Sequence, residues 1–539
     1  MLTHEVLNQV PPITPFEVSR DPALLAGLHR EGAGWAEAEV RELGTLAGTE
    51  RVQEWGRLAN EYPPVLHTHD RYGNRVDEVE FHPHWHDLMT VAVEHGLHAA
   101  PWADDRTGAH VARAAKFYVW GAADAGHMCP VSMTYAAIPA LRHNPELAAQ
   151  YEPLLTARAY DFGLREPSTK AGLIAGMSMT EKQGGSDVRA NTTTATPQPD
   201  GTYRLVGHKW FTSAPMSDMF LTLAQAPGGL SCFLLPRVLP DGSRNPIRLQ
   251  RLKDKLGNKS NASSEIEYEN AIGWPVGAEG AGVKTIIEMV NMTRLDCVIG
   301  SAVGIRTAAV RAVHHARHRK AFGAALVDQP AMRNVLADLV LESEAATTVM
   351  LRLAGATDRA AADPGEAALR RIALAVTKYW VCKRAATHAA EALECFGGNG
   401  YVEESGMPRL YREAPLMSIW EGSGNVAALD ALRAMGTQPE TVEAYFAEVS
   451  RARGENPHLD HAIDRVGKEL ADRSDIEYRA RRIVELMALV LQGAQLVRHG
   501  HRAVADAFCA SRLGADWGAA FGTLPTGVDT TAIIERAFV

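Results

Sequence analysis

The spacing of apolar and polar positions changes twice along the chain. From Met1 to about Gly172, after an irregular start rich in proline, stretches such as Arg113 to Val119 and Leu141 to Leu155 place apolar residues at helical spacing, without strong strand alternation. Near Ala175 short strand-like runs take over: Tyr203 to Val206, Phe220 to Ala224, Cys232 to Leu235 and Glu265 to Tyr268. Turn residues such as Pro199-Asp200-Gly201 and Pro227-Gly228-Gly229 separate several of them. From about Gly282 helical periodicity returns over Lys284 to His315, Ala331 to Ala354 and Ala367 to Cys395, rich in Ala, Leu, Val and Arg as in a bundle. Gly436-Thr437-Gln438-Pro439 marks a further boundary before a last helical region to Val539. The pattern predicts a mainly α chain with an inserted β domain, divided as 1–174, 175–282, 283–436 and 437–539.

Composition adds little to that picture but excludes some classes. A formal charge of -9 over 539 residues argues against wholesale attraction to nucleic acid, while leaving room for a local basic face. The six cysteines, Cys129, Cys232, Cys297, Cys382, Cys395 and Cys509, are dispersed without zinc-like or C-x-x-C spacing and read as buried free thiols in a reducing compartment. No basic start followed by an apolar run is present, and no stretch is long and uncharged enough to span a bilayer, so the chain is expected in the cytoplasm with no membrane partner.

Four stretches carry candidate chemistry. Phe81-His82-Pro83-His84-Trp85-His86-Asp87 gathers three imidazoles, but Pro83 interrupts any strand that would align them, so a helix start with partly buried histidines is expected and no metal. Met177 to Asp187 combines hydroxyls with exposed backbone around Gly184-Gly185, as binding a polar edge or a pyrophosphate requires. Gly207 to Ser213 sets the Trp210 indole among hydroxyls, able to cover a flat ring while a hydroxyl bonds its edge. Trp420-Glu421-Gly422-Ser423-Gly424-Asn425 holds one carboxylate between an aromatic and a flexible turn. Its apolar approach through Ser418, Ile419 and Trp420 draws Glu421 inward, and Ser423 or Asn425 is suited to cap the helix that follows. No Gly-x-Gly-x-x-Gly follows an expected strand, which argues against a Rossmann site.

In this order, Met179-Thr180-Glu181 with Gly185-Ser186-Asp187, Gly207 to Ser213, Lys255-Leu256-Gly257, Arg319 with Phe322-Gly323, Phe396 to Tyr401 and Trp420 to Asn425 resemble the acyl-CoA dehydrogenase family of flavoproteins. The wording of Thr180 to Asp187, Lys253 to Ser263 and Ser418 to Asn425, with Arg57 to Asn60, Pro63-Pro64 and the extra C-terminal region, is similar to the branch associated with the bacterial adaptive response to alkylation damage. The resemblance implies an N-terminal helical domain, a barrel-like middle β domain and a C-terminal helical bundle, here with an extra C-terminal helical domain, assembled as a homotetramer.

It further implies FAD held by Met177, Met179, Thr180, Gly185 and Ser186, with Trp210, Phe211, Thr212 and Ser213 near the flavin ring. Arg319, Phe322, Gly397 and Gly398 would meet the adenosine diphosphate half, and Trp420, Gly422, Ser423 and Asn425 the cofactor beside the base Glu421. Arg294 would face an acyl-CoA substrate. Two positions depart from the family pattern, Glu394 where many members carry glutamine and Asn291 where many carry aspartate three residues before the arginine. The branch implies binding of double-stranded DNA through the C-terminal arginines Arg479, Arg481, Arg482, Arg498, Arg502 and Arg512. The alternatives are a metabolic acyl-CoA dehydrogenase with no DNA role and a flavin oxidase acting on a small nitro or alkylated compound.

Overall fold

The structure is a computed structural model and describes residues 4–537. It separates into two compact units, each made of discontinuous stretches. One contains the chain up to Glu50, Thr107–Ala122 and everything from Arg294 onward; the other contains Arg51–Arg106 and Ala123–Thr293.

The first unit is helical and is built around Pro330–Arg359. Pro330 occupies the first helical position, where its fixed φ is already helical and no amide hydrogen is needed. Every residue of that helix from Leu336 to Thr357 is buried, so it has no solvent face and lies at the centre of the bundle. Pro22–Arg30, Ala109–Gly121, Pro364–Glu394, Ala480–His499 and Thr530–Glu535 pack against it. Burying the polar positions of this helix requires opposite charge. Asp338 and Glu342 pair with Arg512, Glu342 also with Arg384, Glu344 with Arg536, and Arg352 with both Glu366 and Glu448 at 2.8 Å. Arg512, Arg536 and Glu448 all lie beyond position 437, so that region closes the electrostatics of the central helix.

The second unit carries the β domain. Tyr203–Ser213 pairs antiparallel with Thr194–Pro197 on one side and with Ser263–Val276 on the other, and Ile247–Leu252 extends the latter. Met219–Ala226 pairs with Gly229–Pro236, which in turn pairs with Ser263–Val276; a bridge from Thr194 to Gln225 completes a closed, barrel-like circuit. Ala175–Ser178 adds parallel to Met219–Ala226. All four expected strand runs lie within these strands.

The same unit has a hairpin, Val65–His69 with Arg75–Glu80, in a region read from sequence as helical. Its strands bury almost nothing on one face, so hydrophobic alternation is faint; the turn is instead specified by Asp70, whose carboxylate accepts the Tyr72 and Asn74 amides. The three-histidine segment does start a helix, Pro83–Glu94, with His82 at its N-cap accepting the His84 amide. His86 meets the Tyr160 hydroxyl at 2.9 Å. The six cysteines are buried and unpaired with one another, and among the described residues no helix is long and apolar enough to cross a membrane.

Candidate functional site

In the β-bearing unit, the Gly184-Gly185 turn is anchored from beneath by a buried ion pair. Glu181 accepts from Lys209 Nζ at 2.9 Å and from the Thr192 and Thr193 amides at 2.7 and 3.1 Å. Burial alone would raise its pKa, but those hydrogen bonds and the ammonium hold it down at about 2. Asn191 ties the same turn down by donating to the Met179 carbonyl and accepting from Gln183. Above this anchor the turn is open. Gly184 has φ +122 and no atom within 4 Å of a would-be Cβ, whereas a Cβ at Gly185 would lie 2.5 Å from the Thr180 hydroxyl, so only glycine fits there. Ser186 is exposed, and Met177, Met179 and Thr180 are half-buried.

Beside the turn, the Trp210 amide donates to the Thr180 carbonyl at 2.8 Å. The register of Tyr203–Ser213 against Ser263–Val276 shifts between Lys209 and Thr212. Such a bulge re-aims side chains: Trp210 is left half-buried and Phe211 half-exposed on the outside. Lys253 Nζ lies 3.4 Å from the indole centroid, with Lys182 and Arg251 further out. Thr212 and Ser213, expected at a ring edge, use their hydroxyls otherwise. Thr212 is fully buried against Ser178 at 2.5 Å, and Ser213 meets Ser263 at 3.3 Å. After buried Lys209 the bulge delays the next inward position by one residue, from 211 to Thr212.

In the helical unit, Leu416–Ile419 ends at Trp420, and Glu421 follows with φ 55, a left-handed backbone that is uncommon without glycine. Two cations hold this conformation. Arg294 Nε donates to the Glu421 carbonyl at 3.1 Å, and Lys378 Nζ donates to the Gly422 carbonyl and, at 3.3 Å, to that of Ser418. Arg294, expected to face substrate, is instead buried and committed: its Nη1 is 2.7 Å from Asp430, which Arg371 also grips with two hydrogen bonds. Burial would raise the Asp430 pKa, but Arg294 and Arg371 hold it below the ordinary carboxylate range.

The approach to Glu421 is less apolar than its sequence indicates. Ile419 is exposed, and Trp420 and Glu421 are half-buried. Ser423 does occupy the N-cap of Gly424–Thr437, but its side chain makes no capping bond, and the Asn425 oxygen accepts from Arg481 Nε at 2.7 Å. Elsewhere in this unit Gly397 has φ 58 and Gly398 faces open space; both are exposed, as is Glu394. Phe322 sits at a hairpin tip with φ 52 and is 99% exposed, and Arg319 donates to the Asn8 carbonyl at 2.5 Å.

Three stretches match known families: Adaptive response protein AidB N-terminal domain over residues 8–162, Acyl-CoA dehydrogenase middle domain over 176–271, and Acyl-CoA dehydrogenase C-terminal domain over 280–436. Over 513 residues, 94% of each chain, the sequence is 46% identical to the putative acyl-CoA dehydrogenase AidB of Escherichia coli. The chain belongs to the acyl-CoA dehydrogenase family. A Caenorhabditis elegans relative, acyl-CoA dehydrogenase family member 11, is 31% identical over 84% of this chain and 78% of its own. The crystal structure of Caenorhabditis elegans ACDH-11 in complex with C11-CoA superposes with a TM-score of 0.85 at 28% identity, covering 94% of this chain and 93% of that one.

As a family member the chain is an FAD-dependent oxidoreductase. The residues present suit that cofactor. An open glycine turn with positive φ at Gly184, the exposed Ser186 hydroxyl and the half-buried Trp210 and methionines offer backbone and hydroxyl donors beside apolar surface.

The C-terminal arginines do not form the expected basic face. Arg512 is fully buried on Asp338 and Glu342, Arg479 is held by Glu469 at 2.7 Å and by Asp472, and Arg498 lies 3.9 Å from Glu448. Only Arg481, Arg482 and Arg502 are exposed, and Arg482 and Arg502 lie near Glu469 and Asp506. Counting arginines against acids along residues 479–517 missed partners such as Asp338 and Glu342, distant in sequence but adjacent in the fold. Sequence reasoning also passed over Lys209, Lys378 and Arg371, isolated cations whose partners are backbone atoms or distant acids.

Proposed function

We propose that this chain is an FAD-dependent dehydrogenase acting on an acyl thioester, with Glu421 as its base. The observation that carries this reading is the strained Glu421 backbone, fixed by Arg294 on its own carbonyl and by Lys378 on the next. A side chain that must repeatedly take a proton at one place gains from such fixation, and strain of this kind collects at functional sites.

The chain's own residues divide the work. Met177, Met179, Thr180, Gly185, Ser186 and Trp210 hold FAD in the β-bearing unit. In the helical unit Arg319, Phe322, Gly397, Gly398, Trp420, Gly422, Ser423 and Asn425 contribute. The Glu421 carboxylate removes the α-proton of the acyl group, and the Glu421 backbone N–H polarises the thioester carbonyl so that this weakly acidic proton can leave. Bound FAD supplies the acceptor for the β-hydrogen and its electron pair, so that a C=C bond forms as the flavin is reduced. The solved complex of the Caenorhabditis elegans relative with C11-CoA supports an acyl-CoA substrate and sets the first chain length to test. Exposure of Phe322 and Tyr401, 99% and 85%, supports association of several copies, with a homotetramer as the proposed state.

The test is Glu421→Gln. FAD should remain bound while bleaching of the flavin by an acyl-CoA panel slows by roughly 10²–10⁴-fold; unchanged bleaching removes Glu421 from the mechanism. A second reading, binding of double-stranded DNA in protection against alkylation, rests on the exposed Arg481, Arg482 and Arg502. It requires duplex binding that weakens steeply with salt, and its absence at low salt eliminates it.

A further inference from the structure

Beyond Lys378, the turn after Glu421 is met by two further cations from outside its own segment. Arg481, on Ala480–His499, donates through Nε to Asn425 Oδ1 at 2.7 Å. Lys383, on Pro364–Glu394, comes in beside it: a Cβ built on Gly424 would stand 3.2 Å from Arg481 Nη2 and 3.4 Å from Lys383 Nζ. The absence of a side chain at Gly424 is therefore what lets both cations close on the turn. Lys383 has no carboxylate partner among the described residues; burial, then Arg481 and Lys378, lower its pKa.

A guanidinium can only donate hydrogen bonds, whereas a carboxamide has one donating and one accepting end. With Arg481 on one side, Asn425 must turn its oxygen toward the arginine, which leaves its NH2 group as the end offered elsewhere. We propose that Arg481 is a positioning residue of the flavin site: it fixes the Asn425 carboxamide so that this side chain presents a donor, and thereby makes the region beyond position 437 part of the cofactor-binding machinery. This rests on the reading that Asn425 faces the cofactor. It takes Arg481 from the set expected to meet DNA phosphates and assigns it to the oxidoreductase.

The test uses the full chain. Arg481→Met should raise the dissociation constant of FAD for the apoprotein by about tenfold, the scale of one hydrogen bond to a charged group, and Arg481→Lys should recover most of the loss because the ammonium also donates. Asn425→Asp keeps a partner for Arg481 but offers no donor, and should weaken FAD at least as much as Arg481→Met. Arg482→Met, one position along on the same helix, is the control and should leave FAD affinity unchanged. In the double variant Arg481→Met with Asn425→Ala, the losses should fall short of additive. If Asn425→Ala weakens FAD and Arg481→Met does not, the positioning role is wrong while the reading of Asn425 stands. If Asn425→Ala itself has no effect, the reading of Asn425 fails first. A fall in melting temperature with unchanged FAD affinity marks Arg481 as merely structural and overturns the proposal.

Discussion

His388 shows how much a single buried side chain can set the working range of this protein. It is fully buried, one ring nitrogen lies 3.0 Å from the Leu339 carbonyl, and burial pushes its pKa down to about 4. A group depressed from its ordinary value near 6.5 stays neutral in the folded chain while the unfolded chain binds a proton, so stability is full above about pH 6.5 and falls as pH drops toward 4. The loss from this residue alone is on the order of 3 kcal/mol. Denaturant unfolding followed between pH 7 and 4 should show that slope, and His388→Gln should flatten it.

Residues of this kind were not legible in the sequence, where one histidine in a helical run looks like any other. Glu421 was legible as a candidate base because its neighbours are chemically distinctive. Its left-handed backbone was not, because, of the cations that hold it, Arg294 lies 127 positions from Glu421 and Lys378 lies 44 from Gly422.

At the scale of elements, periodicity located the three long helices of the bundle and the strands of the barrel, since each buries a continuous face. It missed the hairpin Val65–His69 with Arg75–Glu80, whose faces are too wet to leave a pattern, and the bulge at Trp210-Phe211, which alters facing without altering composition. The helix Pro330–Arg359 offers the clearest test of element-level energetics. Arg512→Met leaves Asp338 and Glu342 buried without their main counter-charge. Breaking a buried pair from one side costs about 3–5 kcal/mol. Equilibrium unfolding should register that loss, whereas Arg502→Met, at an exposed and loosely paired position, should change stability by no more than about 0.5 kcal/mol. The same comparison separates the arginines that build the fold from those still open to phosphate.

At the scale of the whole molecule, the region beyond 437 looks like an appendage in sequence because Gly436-Thr437-Gln438-Pro439 interrupts the pattern. In three dimensions it shares one compact unit with the helices before it. A chain cut after Gly436 loses Glu448, Arg512 and Arg536 together, and with them one counter-charge each of Arg352, Asp338, Glu342 and Glu344. In such a chain the helical unit should lose its cooperative thermal transition by circular dichroism, so DNA binding cannot be assigned to that region by deleting it; point variants at Arg482 and Arg502 are the usable probes.

The same wiring sets an order of events during synthesis. All parts of the β-bearing unit have left the ribosome once Thr293 has emerged, and it can close while the rest is still being translated. The helical unit holds both the first stretch of the chain and residues as late as Arg536. Its early helices must wait, with apolar faces exposed, until the last counter-ions of the central helix arrive. Chaperone demand for this protein should therefore be set by how long its beginning waits for its end.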